Sequence, residues 1–320
     1  MKAAIINQQG EKPVYGEYPD PQASDRQAVI TVTAAAISQL AKSRAAGKHY
    51  SSMTSAPFIP GIDGTGYLSN GDPVYFLSFN APWGSMAEKT RVSLDNVVHL
   101  PAGLDPVLAA AIANPGMSSW AALTRRAILQ QGETVLINGA TGTSGGLAVH
   151  IARCLGAGKI IATGRNKDVL NKLREEGADV VLTLDSLPSE LPALMAEGID
   201  VVLDYLWGQS ALDIMTAAVA GGAKTVRFVQ IGSLSGQEIN LRSKLLRSSG
   251  LTLMGSGLGS VSDAELIAAI GELFQAVSTS GLSVPFIQRP LDEVGEAWAE
   301  DDSRCRTVLI PCNDPDRKWR

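Results

Sequence analysis

The sequence predicts an α/β protein, with a doubly wound parallel sheet in the middle of the chain and a β-rich part formed by its beginning. Three observations carry this. From Thr134 onward, short apolar runs alternate with helical stretches, the pattern of a parallel sheet covered on both faces. The first junction of that series, "NGATGTSGG", places four glycines (Gly139, Gly142, Gly145 and Gly146) within eight residues. Before Ile112 the texture differs, with strand-like runs, frequent turn signals and little helical periodicity.

In chain order, Ala28–Thr33 ("AVITVT") and Val74–Phe79 ("VYFLSF") have strand composition. "YPDPQ", "PGIDGTG" and "SNGDP" mark turns, and a short helix is expected around Ser38–Ala46. From Leu104, "PVLAAAIANPGMSSWAALTRRA" has helical composition, and Asn114–Gly116 is expected to break it into two helices. Strands are then expected at Thr134–Asn138, Lys159–Thr163, Val180–Leu184, Val201–Tyr205 and Val226–Ile231. Helices at Gly145–Leu155, Lys167–Glu176 and Ser210–Ala220 alternate with them. A helix at Asp263–Ser278, the strand-like "SVPFIQRPL", a short helix and "RTVLIP" (Arg306–Pro311) form a tail too short to fold alone. It is expected to return to the N-terminal β part.

The 320-residue chain is long enough for two domains, and at 45% hydrophobic and 18% charged it can bury a core. A net charge of −5 gives no basic field for nucleic acid. No apolar run approaches the roughly 18 residues of a membrane span, and "MKAAIINQQG" lacks the apolar stretch and cleavage pattern of a secretory signal. Three cysteines (Cys154, Cys305 and Cys312) are too few for a disulfide framework and fit a reducing compartment. A cytoplasmic protein with no nucleic-acid or membrane partner is expected. Cys154 reads as a small buried hydrophobe within its helix.

The glycine cluster lies between a buried strand and a helix, where a turn can approach a pyrophosphate and present helix N-terminal N–H groups. Its spacing, Gly139-x-x-Gly142-x-x-Gly145, differs from the plain G-x-G-x-x-G fingerprint, so the strand before and the βαβ unit behind decide the reading. A short-chain dehydrogenase turn is excluded. The residues four after Tyr15, Tyr18, Tyr50, Tyr67, Tyr75 and Tyr205 are Pro19, Gln22, Thr54, Gly71, Phe79 and Gln209, so no Tyr–Lys pair exists. An NAD site carries Asp or Glu about 20 residues on, to hold the ribose hydroxyls. Here the next strand ends in Gly164-Arg165-Asn166-Lys167, with no carboxylate before Asp168. Arg165 suits a 2′-phosphate, which points to NADPH; the alternative is a solvated loop arginine.

In this setting the chain resembles the medium-chain dehydrogenase/reductase superfamily, and within it the zinc-free quinone oxidoreductase branch that includes zeta-crystallin. The segments that carry the likeness run nearly end to end: "PFIPGIDGTG", "GSMAEKTRV", "LPAGLDPVLAAAI", "GETVLINGATGTSG" and "GLTLMGS". The resemblance implies a GroES-like substrate domain (1–117), a Rossmann-type dinucleotide domain (118–256) and a return segment completing the first (257–320). Zinc alcohol dehydrogenases have a cysteine ligand where this chain has Ser38, and Gly-His-Glu where it has Gly61-Ile62-Asp63. Neither Ser38 nor Ile62 replaces a thiolate or an imidazole around Zn²⁺, so no metal is expected. The branch's usual asparagine near Ser38 and tyrosine near Ser43 are also replaced, while Tyr50 has a counterpart in a second pocket tyrosine.

The chemistry implied is hydride transfer from NADPH to a quinone or an α,β-unsaturated carbonyl, a small electrophile that needs only modest polarisation. Gly139, Thr141, Gly142, Thr143, Ser144 and Gly145 are the expected pyrophosphate turn, and Gly164, Arg165, Asn166 and Lys167 the expected ribose-phosphate end. By resemblance, Gln230, Ile231, Gly232 and Ser233 offer backbone groups to the carboxamide, with Asn114 and Ser118 nearby at the helix break. Tyr50, Ser38 and His49 are candidates to bind or protonate the acceptor oxygen; for His49 the alternative is an exposed loop histidine. His99 and His150 are expected to be structural, Trp207 to pack, and Arg242, Lys244 and Arg247 to form a solvated helix face or a second phosphate contact. The resemblance also implies a homodimer through Leu251–Met254. Two alternatives stay open: an enoyl reductase of a biosynthetic pathway, and an NADPH-binding sensor or structural protein with little turnover.

Overall fold

The computed structural model describes residues 1–311 except 53–54, 80, 221–224 and 303. Two compact units are present, Met1–Asn114 together with Ile270–Arg320, and Pro115–Ala269.

The first unit is built on β1 (Lys2–Ile5), β2 (Val14–Glu17), β3 (Gln27–Ala36), β4 (Asp63–Tyr67), β5 (Pro73–Leu77), β6 (Lys89–Ser93) and β7 (Val97–His99). The second holds β8 (Thr134–Asn138), β9 (Lys159–Gly164), β10 (Val180–Thr183), β11 (Val201–Asp204), β12 (Val226–Gln230) and β13 (Leu251–Gly255). β14 (Phe286–Pro290) and β15 (Arg306–Ile310) close the chain within the first unit.

In the first unit the order β14-β15-β3-β4-β5-β7 gives a mostly antiparallel sheet, with β6 also on β3. β15 pairs antiparallel to β3 through Val308↔Ala36 and Leu309↔Ala35. All five residues of β15 are buried, which is why this short tail finds a place in a larger sheet. Ile30, Val32, Phe58, Phe76, Met86, Val294 and Leu309 share one core there. That burial supplies the main stabilisation, since the strands are short and their isolated pairing is marginal in water.

The second unit is a parallel sheet in the order β10-β9-β8-β11-β12-β13. The chain winds from β8 outward to β10, then returns beside β8 and winds the other way, as in doubly wound dinucleotide folds. β8 and β11 are buried at nearly every position, the condition of strands covered on both faces. The covering helices are amphipathic where they need to be. α3 (Thr143–Cys154) buries Leu147, Ala148, Ile151 and Ala152, a stripe at helical spacing. α4 (Lys167–Glu175) buries only Leu170 and Leu173, leaving its charged residues outside.

Three local expectations are corrected. Pro106–Ala121 is one helix, with Pro115 inside it, rather than two. A π-helical turn, Ala122–Arg126, follows directly. Pro115 removes the N–H that would bond the Ala111 carbonyl, yet the helix runs on through it; just beyond, the Ser118 and Ser119 hydroxyls bond back to the Pro115 and Gly116 carbonyls, at 2.7 and 3.2 Å. The segment Leu187–Glu197 is a helix not foreseen from sequence; Pro188 lies in its first turn, where a missing N–H costs nothing, and Pro192 lies inside. Cys154 is exposed rather than buried, because it falls at the last position of α3, off the buried stripe. Cys312 lies outside the described residues.

Candidate functional site

In the second unit the carboxyl ends of β8, β9 and β11 lie side by side in the parallel sheet. Asn138, the last residue of β8, is fully buried and donates to Asp204 Oδ1 at 2.8 Å and to Ser210 Oγ at 2.9 Å. Its side-chain carbonyl oxygen accepts from Thr163 Oγ1 at 2.8 Å. Asp204 also accepts from the Leu206 and Trp207 N–H groups at 3.1 Å. Burial pushes the Asp204 carboxyl up, against the pull of these donors. The network ties three strand ends together at the topological switch point, where ligands of such sheets bind.

Beyond it the chain turns. The Gly139 and Ala140 N–H groups both donate to the Thr163 carbonyl, at 3.1 and 2.7 Å, which folds the turn onto the end of β9. Gly139 takes φ 95°, a conformation that favours glycine. Gly142 is the N-cap of α3, at φ −96° and ψ 167°, and no side chain caps the helix. A Cβ on Gly142 would meet no atom within 4 Å, whereas one on Gly145 would strike the Gly139 carbonyl oxygen and come within 2.8 Å of Ala140 Cα. One glycine therefore lets the helix approach the strand, and the other leaves its N-terminus open. An uncapped helix N-terminus beside bare backbone is a seat for a phosphate group.

Gly164 closes β9 directly beneath Thr141, whose side chain would collide with any Cβ there. Arg165 and Lys167 follow on the surface, and neither has an ion-pair partner among the described residues. Asn166 serves the fold, because its Oδ1 accepts from the Asp168 and Val169 N–H groups at 3.0 and 3.2 Å and caps α4. At the end of β12, the Ile231 and Gly232 N–H groups are already bonded to the Asp204 carbonyl at 2.8 and 3.1 Å, and Gln230 Nε2 to the Gly232 carbonyl at 2.9 Å. These residues and Ser233 thus offer carbonyls and side chains more readily than those N–H groups. Ser118 Oγ lies 3.3 Å from Tyr205 OH, whose pKa burial raises to about 12. Asn114, one turn earlier on the same helix, is half-buried. Trp207 packs edge-on against Phe228, with ring centroids 6.5 Å apart.

The three acceptor candidates belong to the first unit. Ser38 is the buried N-cap of α1 (Gln39–Ala45), its hydroxyl accepting from the Ala41 N–H at 3.0 Å. His49 is half-buried and Tyr50 exposed, with their rings 4.0 Å apart. Burial, and then the Arg44 charge, hold the His49 pKa down. Arg44 is an addition from the structure: the residue is 6% exposed, donates to the Ser51 carbonyl at 3.0 Å and to the Phe79 carbonyl at 2.8 Å, and its Nη1 has no hydrogen-bond partner among the described residues. No sequence signal distinguishes it from any other arginine in the last turn of a helix. Ile62 is buried in the core, and no group of three His, Cys, Asp or Glu side chains suited to a metal occurs among the described residues. No helix among them is long and apolar enough to cross a membrane.

The fold therefore joins a unit with a nucleotide-type switch-point turn to a unit built on a mostly antiparallel sheet. Residues 145–275 match the family described as zinc-binding dehydrogenases. A probable NADPH-dependent quinone reductase of Emericella nidulans is 30% identical over 93% of this chain and 96% of its own length. The quinone oxidoreductase of Homo sapiens is 28% identical over 87% of this chain and 85% of its own. Among solved structures, the quinone oxidoreductase of Thermus thermophilus, determined alone and with NADPH, superposes with a TM-score of 0.80, covering 97% of this chain and all of that one at 24% identity. The chain belongs to the medium-chain dehydrogenase/reductase superfamily, in the quinone oxidoreductase branch.

Proposed function

We propose that this protein is an NADPH-dependent, metal-independent reductase of quinones or α,β-unsaturated carbonyls. The observation that carries the cofactor is the open N-terminus of α3 at Gly142, followed at the end of β9 by two surface cations, Arg165 and Lys167, with no ion-pair partner among the described residues. The backbone from Gly139 to Gly145 would hold the pyrophosphate, with the Thr141, Thr143 and Ser144 hydroxyls at hand. Arg165 and Lys167, on the capped start of α4, would hold the 2′-phosphate. When bound, NADPH supplies a hydride and its two electrons. The relatives named for NADPH-dependent and quinone reduction support this assignment.

The acceptor class follows from what the chain has available. Ser38 and Ile62 stand where a zinc enzyme has its ligands, so polarisation of the acceptor falls to hydrogen-bond donors of ordinary strength. Such donors suffice for quinones and enones, in which hydride reaches an electron-poor carbon and charge develops on a conjugated oxygen. Ser38, His49 and Tyr50 are the proposed donors. The test is NADPH oxidation, followed at its absorbance band, with a panel of quinones, enones, saturated ketones and primary alcohols. Turnover is expected with the first two classes and to persist after chelator treatment. Tight NADPH binding without turnover of any acceptor would sink the reductase reading in favour of a sensor.

A further inference from the structure

We propose that His49 acts as a neutral hydrogen-bond donor to the acceptor oxygen through Nε2–H, and that Arg44 is the positioning residue that fixes it through Ser51. The proposal rests on the reductase reading above and assigns a role within it.

The geometry of the tight turn 49–52 sets the tautomer. The Ser51 backbone N–H lies 3.1 Å from His49 Nδ1, and a backbone N–H can only donate, so Nδ1 is the unprotonated nitrogen. Ser51 Oγ, 2.8 Å from the same atom, adds a second contact. In a neutral ring the proton then sits on Nε2, for which no bonding partner exists among the described residues. The turn is closed behind the ring. The Ser52 N–H donates to the His49 carbonyl at 2.9 Å, and Ser52 Oγ bonds both to that carbonyl, at 2.6 Å, and to the His49 N–H, at 3.1 Å.

Arg44 joins this turn to the rest of the unit. Its Nε–H holds the Ser51 carbonyl and its Nη2–H the Phe79 carbonyl, so one side chain from α1 pins two loops that come together only in the fold. The guanidinium also lies over the Phe79 ring, 5.9 Å from its centroid. The burial of the site and the positive charge of Arg44 both disfavour an imidazolium at His49, and the Tyr50 ring lies tilted against it, with centroids 4.0 Å apart. Protonating Nδ1 would in addition break its bond from the Ser51 N–H. His49 is therefore arranged as a neutral donor and not as an acid.

In the reaction, a C–H bond of NADPH breaks and a C–H bond forms at the acceptor carbon. The carbonyl π pair moves onto oxygen, where Nε2–H stabilises it. The proton that completes the product comes from water, since a neutral imidazole is too weak an acid to give one up.

The test uses the full chain labelled with 15N at histidine, with His49→Gln identifying the resonances. The wild type is expected to show an unprotonated Nδ1 and a protonated Nε2 from about pH 6 to 8. Arg44→Met is expected to mix the tautomers. In turnover with 2-methyl-1,4-naphthoquinone, His49→Ala should lose about 10² in kcat, while His49→Gln, which keeps a donor, should lose about tenfold or less. The kcat profile should stay flat over the same pH range, and the NADPH dissociation constant should be unchanged in all three variants. A ring protonated on Nδ1, a kcat that falls as pH rises through about 6.5, or full activity in His49→Ala overturns the donor role. Failure of the wild type to reduce any acceptor overturns the reductase reading itself. An NADPH constant altered along with kcat in Arg44→Met would mark that change as general disruption, and Arg44→Lys, keeping one donor, then decides. Its tautomer is expected to match the wild type, and a mixed one contradicts the positioning role.

Discussion

Replacing Asp63 by Asn is expected to stabilise the protein at neutral pH, by about 2–3 kcal/mol from the linkage between pKa and stability. Asp63 opens β4 and is 1% exposed. Its Oδ2 accepts from Tyr75 OH at 3.0 Å, but Oδ1 has no partner among the described residues. Across the sheet Arg306, which opens β15, keeps Nε and Nη2 buried without partners among the described residues. Burial raises the Asp63 pKa to about 6, and the Arg306 charge and the Tyr75 hydrogen bond only partly offset it. Arg306 is in turn held down by burial, with Asp63, Asp301 and Tyr75 opposing.

The sign follows from proton counting. Between the unfolded value near 4 and the folded value of about 6, the folded state binds more protons than the unfolded chain. The contribution of Asp63 to stability therefore falls as pH rises through that window, and the penalty is complete above it. The uncharged amide introduced by Asp63→Asn would carry no such penalty. Rotation lets its carbonyl face Arg306 while its NH₂ donates to Tyr75 OH, which can also accept. Urea unfolding of both proteins from about pH 4 to 8 reads the result. The gain should vanish toward the acid end. A variant less stable than the wild type at neutral pH would show that the attraction to Arg306 outweighs desolvation.

The second large effect separates two glycines three residues apart. Gly145→Ala should lose about 3 kcal/mol of stability, because its Cβ meets backbone atoms that no rotamer change can move aside. Ala140 Cα at 2.8 Å and Gly139 C at 2.9 Å both stand in the way. Gly142→Ala should change stability by about 1 kcal/mol or less, since its Cβ enters open space and only a modest N-cap preference is lost. It should nonetheless weaken NADPH binding by about tenfold or more, because the added methyl occupies the approach to the α3 N–H groups. Thermal unfolding and fluorescence titration on the same samples distinguish the two. A Gly142→Ala protein that binds NADPH like the wild type would remove the phosphate from that turn.

Much of this organisation is legible in the sequence because it depends on local signals. Buried parallel strands are continuous apolar runs, so β8, β9, β11 and β12 fall within a residue of their expected ends. The glycine turn and the cations after β9 are contiguous in sequence, and so are found together. The unforeseen helix Leu187–Glu197 contains two prolines that propensity counts against it, and packing of Leu187, Leu191 and Met195 into the core overrides them. Pro115 misleads in the same manner. What stays hidden is non-local. Arg44 meets Phe79 across 35 residues, and Asp63 meets Arg306 across most of the chain, through side chains whose residue types carry no motif. The role of Asn166 as a cap also has a sequence signal, an asparagine just before a helical pattern.

The cofactor assignment meets its most direct measurement in paired titrations of the full chain with NADPH and NADH, in the wild type and in Arg165→Gln. NADPH should bind the wild type at least about tenfold more tightly than NADH, and the substitution should erase most of that preference while leaving NADH binding unchanged. Equal affinity of the wild type for the two nucleotides, or an NADPH constant indifferent to Arg165→Gln, would contradict the assignment of this turn and the cations after β9 to NADPH.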